Sequence, residues 1–485
     1  MIGRPDDLFD RDQEWADLAS FAGSTAPGLR VGVVWVRRRQ KSFLLRRLAR
    51  AVGGLYHQAH QVGRTSALTR FSAVVGDRLG LPSGSVRFPD WEVAFRTALG
   101  MTGGAEPSGP VGNGPARLLV LDELPYLLDH SPEIPSVLQE LWDEGRERPG
   151  PPTAVIVCGS ALSVMADLLS GTRALRGRVT LNLLVQPFGF RLARDYWEIS
   201  SPQTAFLVDA LVGGTPGYRA LIEEPVPDDA DQLPRWLART LLNPAHALFD
   251  ETAYLLREDP RVQDKALYNR ILQAIATGRH SPQAIGSTLG RPSSALTHAL
   301  LVLTSADFVR REEDVLLQRR PTYFIADPIV RFGQVTIEPY RELLEERQPE
   351  RVWAAAQTSV SAQILGPHFE RLAQTWTQHF AGDRWPEPVG PVGPAVLNDR
   401  QGRTQHQIDV VALPLGMHRQ QRRHGSSCWV RRSRLLCRVR SGPGAARRAA
   451  RCAGRARHRR RRRTSRAVRP ERVRRGFTGG GRSAD

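Results

Sequence analysis

The stretch Arg117-Leu118-Leu119-Val120-Leu121-Asp122-Glu123-Leu124-Pro125 constrains this chain most. An aliphatic run ends in two carboxylates, and a proline follows within two residues. A short, unbroken apolar run bounded by turn formers predicts a strand buried on both faces, as in parallel sheets. Ligands of open parallel sheets bind beyond the carboxyl ends of the strands, where Asp122 and Glu123 fall. Two such acids can hold a divalent cation and polarise an attacking water. The plainer reading is a buried strand with two acids at its solvated tip.

Upstream, Val31-Gly32-Val33-Val34-Trp35-Val36 leads through Arg37-Arg38-Arg39-Gln40 to Lys41-Ser42 and the amphipathic run Phe43-Leu44-Leu45-Arg46. This predicts strand, basic loop, helix. A phosphate-binding loop reads G-x-x-x-x-G-K-[ST]: its glycines wrap backbone N–H groups around phosphates, its Lys reaches them, and its Ser or Thr takes Mg²⁺. Lys41-Ser42 stands in place. Val36 occupies the first glycine position, and Gln40 abuts Lys41 with no glycine between. Lysine is otherwise almost absent: of 68 basic residues only Lys41 and Lys265 are lysines. A compact ammonium at this spot is therefore not casual surface charge.

The Arg37–Ser42 loop, paired with Leu121-Asp122-Glu123-Leu124-Pro125-Tyr126, resembles an archaeal and bacterial family of AAA+/STAND-type P-loop ATPases. Those proteins carry a winged helix and a C-terminal PD-(D/E)xK nuclease-like domain. The resemblance runs from about residue 9 to about residue 413. It implies an α/β fold with a parallel-sheet P-loop NTPase core, a helical lid, a winged helix and a partial nuclease-like α/β domain. It implies ATP and Mg²⁺ as cofactors. Arg39, Gln40, Lys41, Ser42 and Phe43 would line the phosphates, and Ser42 and Asp122 would hold Mg²⁺. Glu123 would orient water, with Ser160 as a polar sensor. Arg11, within Phe9-Asp10-Arg11-Asp12-Gln13-Glu14, would lie near the adenine. Pro216, within Gly213-Gly214-Thr215-Pro216, would border the nucleotide.

The formal net charge of +19 points at first to a nucleic-acid binder. It is unevenly spread. Of the 68 basic and 49 acidic residues, 24 and two lie after Pro414, which leaves 44 against 47 before it. The globular part is nearly neutral. Three of the four cysteines, Cys428, Cys437 and Cys452, lie in the same tail, and no disulfide framework is implied. No signal peptide opens the chain, and no apolar run approaches membrane-spanning length, so a cytoplasmic protein with no membrane partner is expected.

The expected organisation is an ATPase core over 1–190, a helical lid over 191–258, a winged helix over 259–345 and a truncated nuclease-like domain over 346–413. Within the core, 29–36, 55–59, 154–160 and 180–185 read as strands and 67–100 as mostly helical. In the winged helix the second helix, from Pro292 to Thr304, carries little positive charge. Packing against the ATPase is its expected use, and DNA binding is expected to be weak or non-specific. In the nuclease-like piece Glu370 and Asp409 match the family's acids. No Lys follows Lys265, so nuclease chemistry is not expected.

Residues 414–485 read as a disordered, arginine-rich tail. Because the domain breaks off inside its own sheet, a shifted reading frame between codons 413 and 440 is also expected to account for this text. The rival to an ATPase is a non-hydrolysing regulatory or DNA-binding module that keeps the fold without the loop; a decayed gene is the third reading.

Overall fold

The computed structural model describes residues 2–36, 41–101, 117–148, 150–159, 161–171, 173–259, 261–316, 321–382, 388–399, 404–416, 427–432 and 435–440. The expected loop at 103–115 lies outside them. The chain divides into two compact units, one of residues 1–311 with 322–368 and one of 312–321 with 369–485.

The first unit is built on five strands: β1 (Leu29–Val36), β2 (Leu55–Gln58), β3 (Leu118–Asp122), β4 (Thr153–Gly159) and β5 (Val179–Val185). They form a parallel sheet in the order β2-β3-β4-β1-β5. Alternation within each strand feeds two hydrophobic layers. Val31, Val33, Leu119, Leu121, Val155 and Val157 pack on one face, under α3 (Arg64–Arg78), α4 (Trp91–Ala98) and α6 (Ile134–Glu147). Val34, Leu118, Val120, Ile156 and Cys158 pack on the other, under α1 (Asp12–Gly23) and α2 (Lys41–Ala51). Every residue of β3 and β4 is buried, which is why both read as continuous apolar runs. Between β3 and α6 sits the short α5 (Leu124–Leu128), and α7 (Leu162–Leu168) follows β4. The expected helical span 67–100 is broken between α3 and α4, where Gly80, Pro82 and Gly84 interrupt it and both glycines take positive φ.

From Phe188 to Ile364 a single continuous core follows. It is fed by α8 (Phe190–Tyr196), α9 (Pro202–Leu211), α10 (Pro216–Leu221), α11 (Leu233–Arg239) and α12 (Glu251–Glu258). It continues through α13 (Lys265–Ala276), α14 (Pro282–Leu289), α15 (Thr297–Ser305) and the paired strands β6 (Val309–Glu312) and β7 (Thr322–Ile325). Ser281 caps α14 by accepting from the Ala284 N–H, and Gly290 closes it in the left-handed region. After α16 (Pro328–Phe332) and α17 (Arg341–Glu345) comes α18 (Pro349–Val360), whose Val352, Ala356 and Val360 lie in this same core. The segment from 346 to 364 thus shares the core of what precedes it. Periodicity marks the buried stripe of a helix but not which neighbour takes it.

The second unit contains most of α19 (Gly366–Phe380) and an antiparallel sheet of β8 (Val389–Asp399), β9 (Thr404–Pro414), β10 (Ser427–Arg432) and β11 (Leu435–Arg440), in the order β11-β10-β9-β8. Residues 314 and 315 bond to it: the Val315 N–H donates to the Pro394 carbonyl at 2.9 Å, and Asp314 accepts from the Val396 N–H at 2.7 Å. Within the span expected to be disordered, β10 and β11 are strands. Trp429 pairs with Ala412 and Val430 with Val411, so the sheet runs on past Leu413. Charge count dominates a composition reading of this text, whereas Cys428-Trp429-Val430 and Leu435-Leu436-Cys437 carry enough β-forming residues for a hairpin. Residues 441–485, with the Arg459–Arg463 run, lie outside the described residues.

Glu370 on α19 is half-buried, and burial, Asp409 and Glu312 together push its carboxyl up to about 7 from an ordinary 4.5. The folded unit therefore favours the neutral acid. No penalty exists below about pH 4.5; it grows as pH rises towards 7 and is constant above that. The shift corresponds to roughly 3 kcal/mol, which solvent screening of a half-exposed group reduces to about 1–2 kcal/mol. Glu370→Gln should therefore stabilise this unit by about that amount at pH 8, the gain fading by pH 5. Chemical denaturation of both proteins at the two pH values checks this. Equal gains at both would contradict it.

Candidate functional site at the carboxyl ends of the sheet

The registers place the strand ends side by side. Val33 pairs with Val157 and Leu121 with Val157, so β1, β4 and β3 finish level, with β4 between the other two. Neighbouring strands lie about 4.8 Å apart, so the end of β3 stands about 10 Å from the end of β1. That gap matches a lysine stem on one side and a carboxylate on the other, with a phosphate and a cation between.

Asp122 is fully buried at the end of β3. The Tyr56 hydroxyl donates to its Oδ2 at 2.5 Å, and the Glu123 backbone N–H donates to its Oδ1 at 3.0 Å. A carboxylate offers about four acceptor positions, and these two bonds fix its plane. A buried carboxylate without such partners would be strongly disfavoured. Sequence reasoning misses Tyr56. It sits on β2, whose pairing with β3 sets Gln58 opposite Asp122. Its one signal is a phenol in a short strand flanking the acidic one.

Glu123 takes a left-handed conformation, φ 57° and ψ 44°, which costs a non-glycine residue roughly 1–2 kcal/mol. The neighbours hold it there. Pro125, the second residue of α5, packs against Gly159 at the end of β4. A Cβ on Gly159 would lie 2.6 Å from Pro125 Cδ and 2.8 Å from Met165 Sδ. Glycine at 159 is thus what lets the turn after Glu123 close over β4. Strain of this kind, overruled by packing, is common where a side chain must be aimed.

α2 begins at Lys41 and runs eleven residues. Its N-terminus, with Lys41 and Ser42, opens at the end of β1, where unsatisfied N–H groups favour an anion. Phe43, the next residue, is 46% exposed, and the Arg47 guanidinium lies 4.8 Å over its ring. Arg39, Gln40 and Ser160 lie outside the described residues, as do the side chains of Lys41 and Ser42. Hard oxygen donors beside a helix N-terminus suit Mg²⁺ carried with a phosphate. With the Asp122 carboxylate oriented as it is, the residues present fit a magnesium–nucleotide.

On the far side of β5, Arg11 and Pro216 come together through an aromatic cluster. Phe9, Phe188 and Tyr196 pack edge-on or tilted, with ring centres 5.2–5.4 Å apart. The Tyr196 hydroxyl donates to the Pro216 carbonyl at 3.4 Å. The Phe188 N–H donates to the Gly214 carbonyl at 2.8 Å, and a Cβ on Gly214 would lie 2.0 Å from the Phe188 oxygen. That close approach is why the Gly213-Gly214-Thr215-Pro216 turn requires glycine. The Arg11 side chain is buried: it pairs with Glu14 at 2.8 Å, donates to the Gln186 carbonyl at 2.7 Å and lies 4.3 Å over the Phe188 ring. These contacts give Arg11 a positioning role, tying the N-terminal segment to the exit of β5. A cation in an acid-rich helix start looks the same in sequence whichever way it turns.

No protein-family model matches the chain. It is 25% identical over 234 residues to an uncharacterized protein of Methanocaldococcus jannaschii, MJECL04, covering 47% of this chain. The chain spans about half the length (51%) of that curated relative. Among solved structures it resembles the Walker-type ATPase PABY2304 of Pyrococcus abyssi with a TM-score of 0.50 at 18% identity, over 68% of this chain and 97% of the other. The ORC2 protein of Aeropyrum pernix aligns more loosely, with a TM-score of 0.39 at 15% identity over 73% and 97%. Five parallel strands in the order observed, with the acidic strand end level with the start of α2, give this chain a P-loop NTPase α/β core.

Proposed function

We propose that the chain binds ATP with Mg²⁺ at the level ends of β1, β4 and β3, as a protein of the AAA+/STAND type with a degenerate phosphate loop. The observation that supports this most is Asp122, buried and held in one orientation by Tyr56 and the Glu123 N–H at the mouth of that gap. Lys41 would meet the terminal phosphates, while Ser42 and Asp122 would hold the cation. Mg²⁺ supplies charge neutralisation at the transferred phosphoryl group. Glu123, held in a left-handed backbone conformation, would orient water. Ser160, one residue beyond Gly159, would reach the same gap from β4. Arg39, Gln40 and Phe43 would flank the phosphates. Pro216, and Arg11 through its hold on Phe188, would border the base.

The remainder of the chain fits supporting roles. Residues 259–345 have the helix and strand order of a winged helix, and we read it as a packing module. We read the second unit as a nuclease-like domain without its lysine. The arginine-rich end would bind DNA only non-specifically, with steep salt dependence. No helix among the described residues is long and apolar enough to cross a membrane.

Val36 and Gln40 favour a second reading. Without glycine the loop cannot readily adopt positive φ, and each residue forced there costs roughly 1–2 kcal/mol. A protein that holds nucleotide weakly and does not hydrolyse it would keep the same fold. Weak ATP binding is therefore expected, tightened about tenfold or more when glycine is inserted before Lys41 and Val36→Gly is added. Titration of both proteins with a fluorescent ATP analogue reads this out, and nanomolar affinity in the native chain would contradict it. Any hydrolysis should disappear in Glu123→Gln. Turnover persisting in that variant would show that Glu123 does not orient the water.

A further inference from the structure

A second site lies on the open edge of the sheet, at β2. α2 covers one face there and α3 the other, so the edge forms the floor of a trough of about 630 Å³. Arg46 and Arg50 from α2 and Arg70 from α3 stand on its two walls. Tyr56, His57 and His60 come from β2 and the turn after it. No carboxylate lines it among the described residues.

The charge is unusual for its surroundings. Elsewhere in this near-neutral unit several surface arginines are matched: Arg47 with Asp7, Arg64 with Glu133, Arg96 with Glu92 and Glu144, Arg173 with Asp167. Arg50 and Arg70 are both exposed, and among the described residues neither has an ion-pair partner. Arg46 donates to the Gln58 side chain at 2.6 Å and lies 5.0 Å over the Tyr56 ring. The buried His57 is held down to about 4 by burial, His60 and Arg70, so its ring is neutral near pH 7. Cations gathered in a low-dielectric cleft repel one another unless an anion enters it.

We propose that this trough binds the phosphate backbone of a single-stranded nucleic acid. Guanidinium forks match phosphate oxygens two at a time. A volume of about 630 Å³ lies in the range of small-ligand clefts and is too small for a duplex. The exposed His60 ring and the Arg46–Tyr56 stack offer flat surfaces for unpaired bases. An acidic peptide adding a strand to β2 is the competing occupant. With four residues, β2 offers few backbone pairings for such addition, so affinity from main-chain bonds would be small. Binding in the trough does not require nucleotide at Asp122.

The test is photo-crosslinking of the full chain to an oligothymidine carrying 5-iododeoxyuridine, mapped by mass spectrometry. The arginine-rich end will crosslink too, so the readout is the peptide that contains Tyr56 and His60. Crosslinking there is expected, and the double change Arg50→Glu, Arg70→Glu should lower its yield by about tenfold or more while crosslinks after Pro414 persist. Should that variant lose its circular-dichroism spectrum, Arg50→Gln with Arg70→Gln must still lower the yield by about threefold. Crosslinks confined to the arginine-rich end, or a yield at Tyr56–His60 unmoved by either pair, would overturn the proposal. So would equal displacement of the oligonucleotide from that peptide by oligoglutamate of the same charge, which would assign the trough to an acidic peptide.

Discussion

The carboxylate of Asp122 is the constraint around which the first unit is built. Burying it at the end of β3 would be costly without partners, and a phenol from β2 and a backbone N–H from the next residue both donate to it. Each of those donors fixes something else. The Tyr56 bond ties the edge strand to the strand inside it. The Glu123 that supplies the N–H turns left-handed, and that turn closes over a glycine at 159. One acid therefore sets the join between three strands and the start of α5.

A parallel sheet delivers this acid to the right place with little further specification. Strand ends that finish level put whatever follows β1, β4 and β3 along one edge. α2 leaves that edge from β1 with its N-terminus forward, so anion attraction and the acid face each other across two strand spacings. The second half of the chain adds a core that runs unbroken from Phe188 to Ile364, anchored to the end of β5 through the Phe188–Gly214 bond. The pairing of a strand-end acid with that anchor would give a nucleotide two fixed sides.

Much of this is legible in the sequence because it is local. β1, β3, β4 and β5 fall within a residue or two of their expected bounds; β3 and β4, buried on both faces, write themselves as apolar runs. Asp122 and Glu123 are visible for the same reason. What escapes is non-local. Tyr56 is 66 residues from the acid it serves, and nothing near it announces the contact. Gly159 reads as a strand terminus until the proline opposite it is placed. Arg11 stands out in sequence as a cation at a helix start, but its bond to the Gln186 carbonyl, 175 residues away, is invisible there. The stripe of α18 shows that it packs but not on what. In the second unit, arginine count hides the hairpin of β10 and β11, because composition measures charge and the pairing of strands depends on order.

Hydrogen exchange of the full chain, with and without saturating ATP and Mg²⁺, tests the central claim most directly, because it reads the backbone of the two segments that would hold the nucleotide. Nucleotide held between α2 and the end of β3 should slow exchange at the start of α2, around Lys41–Leu45, and around Asp122–Tyr126, leaving β8 and β9 unchanged. Protection that spares both segments, or that falls on the second unit instead, would contradict the account.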